Sequence, residues 1–152
     1  MAFHPSLDAP PLVALLGRAE GAFIEEFDRR IRATEFCALS LAHSRNVLRH
    51  LGDGPRRASQ IVGACDVSKQ AISQQITHLE RNGYVSVQAD PADQRARLLS
   101  LTDKGVAAQV VVKRLFAEIE AEWAALLPGD DAAELRRVLS ALVSALPRRN
   151  AC

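Results

Sequence analysis

The chain has 152 residues, the size of one ordinary domain, which buries roughly 68 to 70% of the surface its unfolded form exposes and needs no covalent staple to fold. Its three cysteines, Cys37, Cys65 and Cys152, are odd in number, far apart and free of any CxxC pair, which excludes a disulfide framework and a structural zinc site and makes a reducing cytoplasm the default. MAFHPSLDAPP has no basic segment leading into an apolar run, and no window of 18 uncharged apolar residues occurs, so neither export nor a membrane span is expected. The formal net charge of +1 hides an uneven distribution. Residues 40–104 hold nine Lys and Arg against six Asp and Glu, residues 1–39 hold four against six, and residues 105–152 hold six of each. His43, His50 and His78 also lie in residues 40–104, and a local positive excess of this kind suits an anionic partner.

In chain order, Pro10 and Pro11 suit a first helical turn, and Leu12, Leu15, Leu16, Ala19, Phe23, Phe27 and Ile31 recur at helical spacing, predicting one long amphipathic helix to about residue 33. Ser40 is a good N-cap for a second helix carrying Val47, Leu48 and Leu51 up to the GDGP loop of residues 52–55. A short third helix is expected from about Ala58 to Ala64, then a turn at CDVS. Ser68 caps a fourth helix whose inward stripe is Ile72, Ile76 and Leu79 and which Gly83 ends. The period then switches from 3.6 to 2. Residues 84–87 read as a strand, QADPADQ as a hairpin loop and residues 99–101 as the returning strand. Thr102 caps a long helix with Val106, Val110, Leu115, Ile119, Trp123 and Leu126 on its apolar face. After Pro128 and Gly129, a last helix from about Asp131 to Leu146 carries Leu135, Val138, Leu139, Leu142 and Val143.

Two short helices joined by a tight turn and followed by a strand hairpin form the pattern of a winged helix-turn-helix, whose second helix enters the DNA major groove. With its stripe facing inward, the helix after Ser68 turns Lys69, Gln70, Ser73, Gln74 and Thr77 outward, with Arg81 at its far end and no acidic residue before Glu80. Such side chains reach base edges and phosphates. The same residues would also suit a plain solvated surface. The hairpin tips the balance, because Arg95 at its tip is of the type that enters the narrow minor groove, with Asp90 and Asp93 near enough to hold its guanidinium.

The runs VSKQAISQQITHLERNGYV and DPADQRARLLSLTDKG resemble the recognition helix and wing of the multiple antibiotic resistance regulator (MarR) family. The family's wing pattern falls on Asp90, Asp93, Arg95, Leu101, Thr102 and Gly105, and LSLAHSRNVLRHL resembles its second helix. The resemblance implies a mainly α winged helix-turn-helix with a two-stranded β wing. It also implies a homodimeric transcription regulator, usually a repressor, on a pseudo-palindromic operator. Residues 39–102 would form the DNA-binding lobe of a single domain spanning 1–152, and residues 1–36 and 103–152 the dimerisation helices. Lys69, Gln70, Ser73, Gln74 and Thr77 would meet the major groove and Arg95, positioned by Asp93, the minor groove. Arg57, Arg81 and Arg97 would supply phosphate contacts or structural pairing. The chain departs from the family at Gln74, where many members carry arginine, and at Gln94, where many carry a basic residue. A glutamine can pair with adenine where arginine favours guanine, and each lost phosphate contact flattens the salt dependence by about 0.9 log units.

The family also often binds small aromatic effectors between its dimer helices and its DNA-binding lobe, which would place His43, Arg45 and Trp123 beside such a cleft. No other cofactor is expected. His43 and His50 lack the His-x-x-x-His spacing that chelates a metal. Oxidation of Cys37 or Cys65 offers an alternative, a thiol-based redox regulator, although the peroxide-sensing members keep their cysteine in the first helix, where this chain has none. No nucleophile with a base, carboxylate pair or phosphate loop has a meaningful spacing, so an enzyme is not expected. A winged helix used to bind protein is the remaining alternative. Aromatic anchors would be expected on such a face, and Arg95 argues for nucleic acid instead.

Overall fold

The structure, a computed structural model, describes residues 9–147. Cys152 and the N-terminal segment MAFHPSLD, which bears on export, lie outside that span. Six helices and a small antiparallel sheet follow in the order α1 (Leu12–Arg32), α2 (Leu41–Asn46), β1 (Arg56–Arg57), α3 (Ala58–Ala64), α4 (Lys69–Arg81), β2 (Val85–Asp90), β3 (Asp93–Leu101), α5 (Asp103–Leu126) and α6 (Asp131–Ala145). The winged-helix topology expected from the sequence is present, with strand order β1-β3-β2.

The lobe is built on one buried core. Ile72 and Leu79 of α4, Ile61 of α3, Tyr84, Leu99 and Leu48 are almost fully enclosed, together with Phe27 and Ile31 of α1 and Ile119 of α5. Burying such a side chain contributes about 1.5–3 kcal/mol, so α4 owes its position to its inward stripe and its other faces are left for polar residues. Ser68 caps it, its Oγ accepting from the Ala71 N–H at 3.1 Å, and Gly83 leaves it at φ 78°.

The second predicted helix is divided. It stops at Asn46, Val47 adopts φ −123° and ψ −63°, and Leu48–Leu51 form one 3-10 turn. The cause is competition for carbonyls. The Asn46 carbonyl accepts from the Cys65 thiol at 3.1 Å, the Leu48 carbonyl from Gln109 Nε2 at 2.7 Å, and the His50 N–H turns back to the Val47 carbonyl. These partners replace the i→i−4 bonds that would continue an α-helix.

The wing also differs from the expected short strands. β2 and β3 extend to Asp90 and from Asp93, leaving only Pro91 and Ala92 between them, and the sequence-predicted loop QADPADQ is mostly strand. Apart from the buried Asp90, their outer halves are largely exposed and carry no apolar alternation, so ladder hydrogen bonds alone reveal them. β1 falls in a stretch with no strand signal. It pairs Arg56 with Leu99 and Arg57 with Leu98, two residues being too short for any periodicity.

The long helices pack with less of their apolar surface than their sequence suggests. α1 and α5 meet through Phe23, Phe27, Phe116 and Trp123, with ring centroids 5.1–5.7 Å apart, and Arg30 ties Glu26 (2.6 Å) to Glu122 (2.5 Å) across the pair. The inward face of α5 is Ala108, Val112, Leu115 and Ile119, whereas Val106, Val110 and Leu126, expected on that face, point to solvent. Residues 9–22 are exposed throughout, and α6 buries no residue.

Candidate nucleic-acid interface

The outer face of α4 is the first part of the site. Lys69, Gln70, Ser73, Gln74, Thr77 and Arg81 are all exposed. Gln70, Ser73, Gln74, Thr77 and Arg81 line one shallow groove, with Lys69 just outside it at the helix start. The Thr77 hydroxyl donates to the Ser73 carbonyl at 3.0 Å, which leaves its oxygen free to accept. His78 lines the same groove and carries no such signal in the sequence, although it stands one helical turn beyond Gln74. It fixes α4 against the rest of the lobe. Its Nε2 donates to the Ala38 carbonyl at 2.7 Å and its ring stacks on His43 at 4.5 Å, nearly parallel. Asn46 of α2 adds a bond to Gln75 at 3.4 Å.

The wing is the second part. In register, Ala89 pairs with Arg97 and Asp90 with Asp93, so Gln94, Arg95 and Ala96 have no partners on β2 and form a bulge at the tip. A bulge re-aims the side chains it carries. Arg95 is exposed there, and its backbone N–H donates to Asp93 Oδ1 at 3.1 Å. Among the described residues its guanidinium forms no ion pair, so the expectation that Asp90 and Asp93 hold that guanidinium is corrected. Arg97 is also exposed and unpaired among the described residues, so it does not brace the stem against either aspartate. Arg57 takes that role instead, its Nε donating to Asp90 Oδ2 at 2.7 Å. The Asp90 carboxyl is held below its usual range by the Ala92 N–H and by Arg57.

The wing and α4 are joined to α5 at one tight corner. Thr102 Oγ accepts from the Gly105 N–H at 3.1 Å and donates to the Gly83 carbonyl at 2.5 Å, while Lys104 Nζ donates to the Asn82 carbonyl at 2.8 Å. A Cβ on Gly105 would lie 2.1 Å from the Tyr84 carbonyl oxygen. Only glycine lets the first turn of α5 approach β2 so closely.

A separate cleft of about 800 Å³ opens between α1, α2, α5 and α6. Arg45 and Trp123 line it, together with Phe23, Gln109, Phe116 and Leu139. Its size is typical of small-molecule sites. His43 does not line it. Its Nδ1 accepts from the Ser40 N–H at 3.1 Å and closes the cap of α2, and burial followed by the neighbouring His78 lowers its pKa to about 4. Arg45 pairs with Glu20 at 2.8 Å over the cleft's edge. Of the two described cysteines, Cys37 is exposed, whereas Cys65 donates its thiol to a backbone carbonyl and is pushed up in pKa by burial, the opposite of what makes a thiol reactive. Among the described residues no His, Cys, Asp and Glu side chains gather as a metal site, and no helix is long and apolar enough to cross a membrane.

Comparison with known proteins shows what this geometry is similar to. The profile of the MarR family matches residues 40–96, from the cap of α2 to the wing tip. No curated protein matches the sequence. Among solved structures, the transcriptional repressor CouR, bound to a 23-mer DNA duplex, is 27% identical, with a TM-score of 0.75 over 88% of this chain and 92% of that one. Wild-type MarR from E. coli, in its apo form, is 20% identical at a TM-score of 0.75, over 92% and 99% of the two chains. FabT from Streptococcus pneumoniae, in complex with DNA, is 19% identical at 0.73, over 88% and 93%. The MarR family's profile thus lies across the helix-turn-helix and wing of this chain, and the fold of wild-type MarR is followed along 92% of it.

Proposed function

We propose that the chain is a ligand-responsive repressor that acts in the cytoplasm as a homodimer on a pseudo-palindromic DNA operator. The observation that carries this reading is the pairing of an exposed polar face on α4, with no acidic residue before Glu80, with an unpaired arginine on the wing bulge. In this reading Lys69, Gln70, Ser73, Gln74 and Thr77 face the major groove and Arg95 enters the minor groove, while Arg81 and Arg97 lie toward phosphates. Dimerisation by residues 1–36 and 103–152 would cover the exposed apolar residues of α1, α5 and α6, and residues 39–102 would act as the DNA-binding lobe. Two lobes related by a dyad meet half-sites about 34 Å apart. The cleft between Arg45 and Trp123 is the place for a small aromatic effector, which would release DNA by favouring a dimer state with a different spacing of the two α4 helices.

Arg95→Ala tests the reading. Its side chain is solvated and makes no ion pair among the described residues, so the thermal midpoint should stay unchanged while affinity for a duplex enriched by the wild-type chain falls about tenfold. Equal affinity in the variant overturns the minor-groove assignment. Gln74→Arg should add a phosphate or guanine contact and steepen the salt dependence by about 0.9 log units.

A further inference from the structure

We propose that Arg57 is a positioning residue that aims the wing through Asp90, and not a contact to DNA; this rests on the DNA-binding reading and adds to it an assignment of how Arg95 is presented. Arg57 stands where β1 turns into α3, its backbone paired with Leu98 and its N–H donating to Gln60 Oε1 at 2.9 Å. Its Nε reaches Asp90 Oδ2 at 2.7 Å, and the other oxygen of that carboxylate, Oδ1, accepts from the Ala92 N–H at 2.9 Å. Asp90, a buried residue, thus closes the hairpin turn with one carboxylate oxygen and bolts it to β1 with the other. The bulge that carries Arg95 begins on the far side of that turn.

The charges around this pair assign its role. A carboxylate beside a polyanion repels it, so Asp90 works against DNA binding unless its structural contribution is larger. The carboxylate 2.7 Å from Arg57 Nε offsets the charge of the guanidinium, which weakens its pull on a phosphate. Arg56, one residue earlier, is exposed and unpaired among the described residues. The alternation of the strand therefore separates a solvated cation from a bracing one.

The test uses the full chain and a duplex that the wild-type protein enriches from a random pool. Asp90→Asn removes a negative charge near the DNA, yet affinity should fall about fivefold, because the wing loses its aim. Arg57→Ala should fall by a similar factor, and the Arg57→Ala/Arg95→Ala double variant should bind no more weakly than Arg95→Ala alone. If Arg57 touched phosphate, Asp90→Asn would tighten binding and the two losses would add; either result overturns the proposal. A second measurement is independent of DNA. Amide exchange at Ala92 and Arg95 should accelerate in Arg57→Ala while the amides of α5 stay protected, and unchanged exchange at the tip also overturns it. Faster exchange together with an Arg95→Ala variant that binds DNA normally would instead sink the DNA reading and leave the latch standing.

Discussion

His43 illustrates how one residue can hold a helix and tune its pH response. At the third helical position of α2 it accepts from the Ser40 N–H, the task that Glu or Gln performs in a capping box. The native state keeps its imidazole neutral down to about pH 4, whereas the unfolded chain protonates it near 6.5. Between those values the unfolded state binds the extra proton, so stability falls as pH falls through that window and levels off below it. His50, lowered by burial and then by Arg49 and Arg56, adds to the same slope. His43→Gln keeps an acceptor for the cap and removes the titration. Between pH 7 and 4.5 the variant should lose about 2 kcal/mol less stability than the wild type in denaturant titrations, and identical slopes would contradict the assignment. At this scale the sequence is legible where one residue acts through its own helix. Ser68, Thr102 and the α4 stripe are of this kind. Partners from distant segments are not legible. Arg57 and Asp90 are 33 positions apart, and no local pattern joins them, just as none shows that His43 stacks on His78.

Elements show the same division. The long helices and α4 announce themselves because burial imposes a 3.6-residue period on their composition. The break after Asn46 does not, since it is caused by a thiol and an amide arriving from Cys65 and Gln109. The outer wing is silent because no apolar alternation runs along it, its one buried residue being the polar Asp90, and β1 because it is two residues long. The corner between β2 and α5 has the opposite property, being fixed by a single atom that is missing. Gly105→Ala would drive a methyl into the Tyr84 carbonyl, and displacing backbone at a packed corner should cost about 3 kcal/mol or more. Thermal unfolding checks this, and a midpoint within two degrees or so of the wild type would contradict the close approach.

Across the whole molecule, the apolar surface exceeds what one chain covers. Val13 is 75% exposed, Val110 66% and Val143 68%, and monomers seldom leave so much apolar surface in water. A second copy is the economical cover. Val143→Asp places a charge where a lone chain is already solvated, so a monomer would hardly notice it. In a dimer it buries an unpaired charge, and the variant should sediment as a monomer at micromolar concentration where the wild type sediments as a dimer. A wild type that sediments as a monomer would contradict the dimer, and a variant that stays dimeric would place Val143 outside its interface. At this scale the charge distribution is the legible part, since the positive excess of the sequence lies in the lobe that carries α4 and the wing. The cleft is hidden from the sequence because its walls come from four separate helices. The central claim is that this lobe reads DNA as one half of a symmetric pair. Selection of bound fragments from genomic DNA at physiological salt measures it most directly. The account predicts an enriched inverted repeat with half-sites about one helical turn apart, and the absence of any enriched site would contradict it.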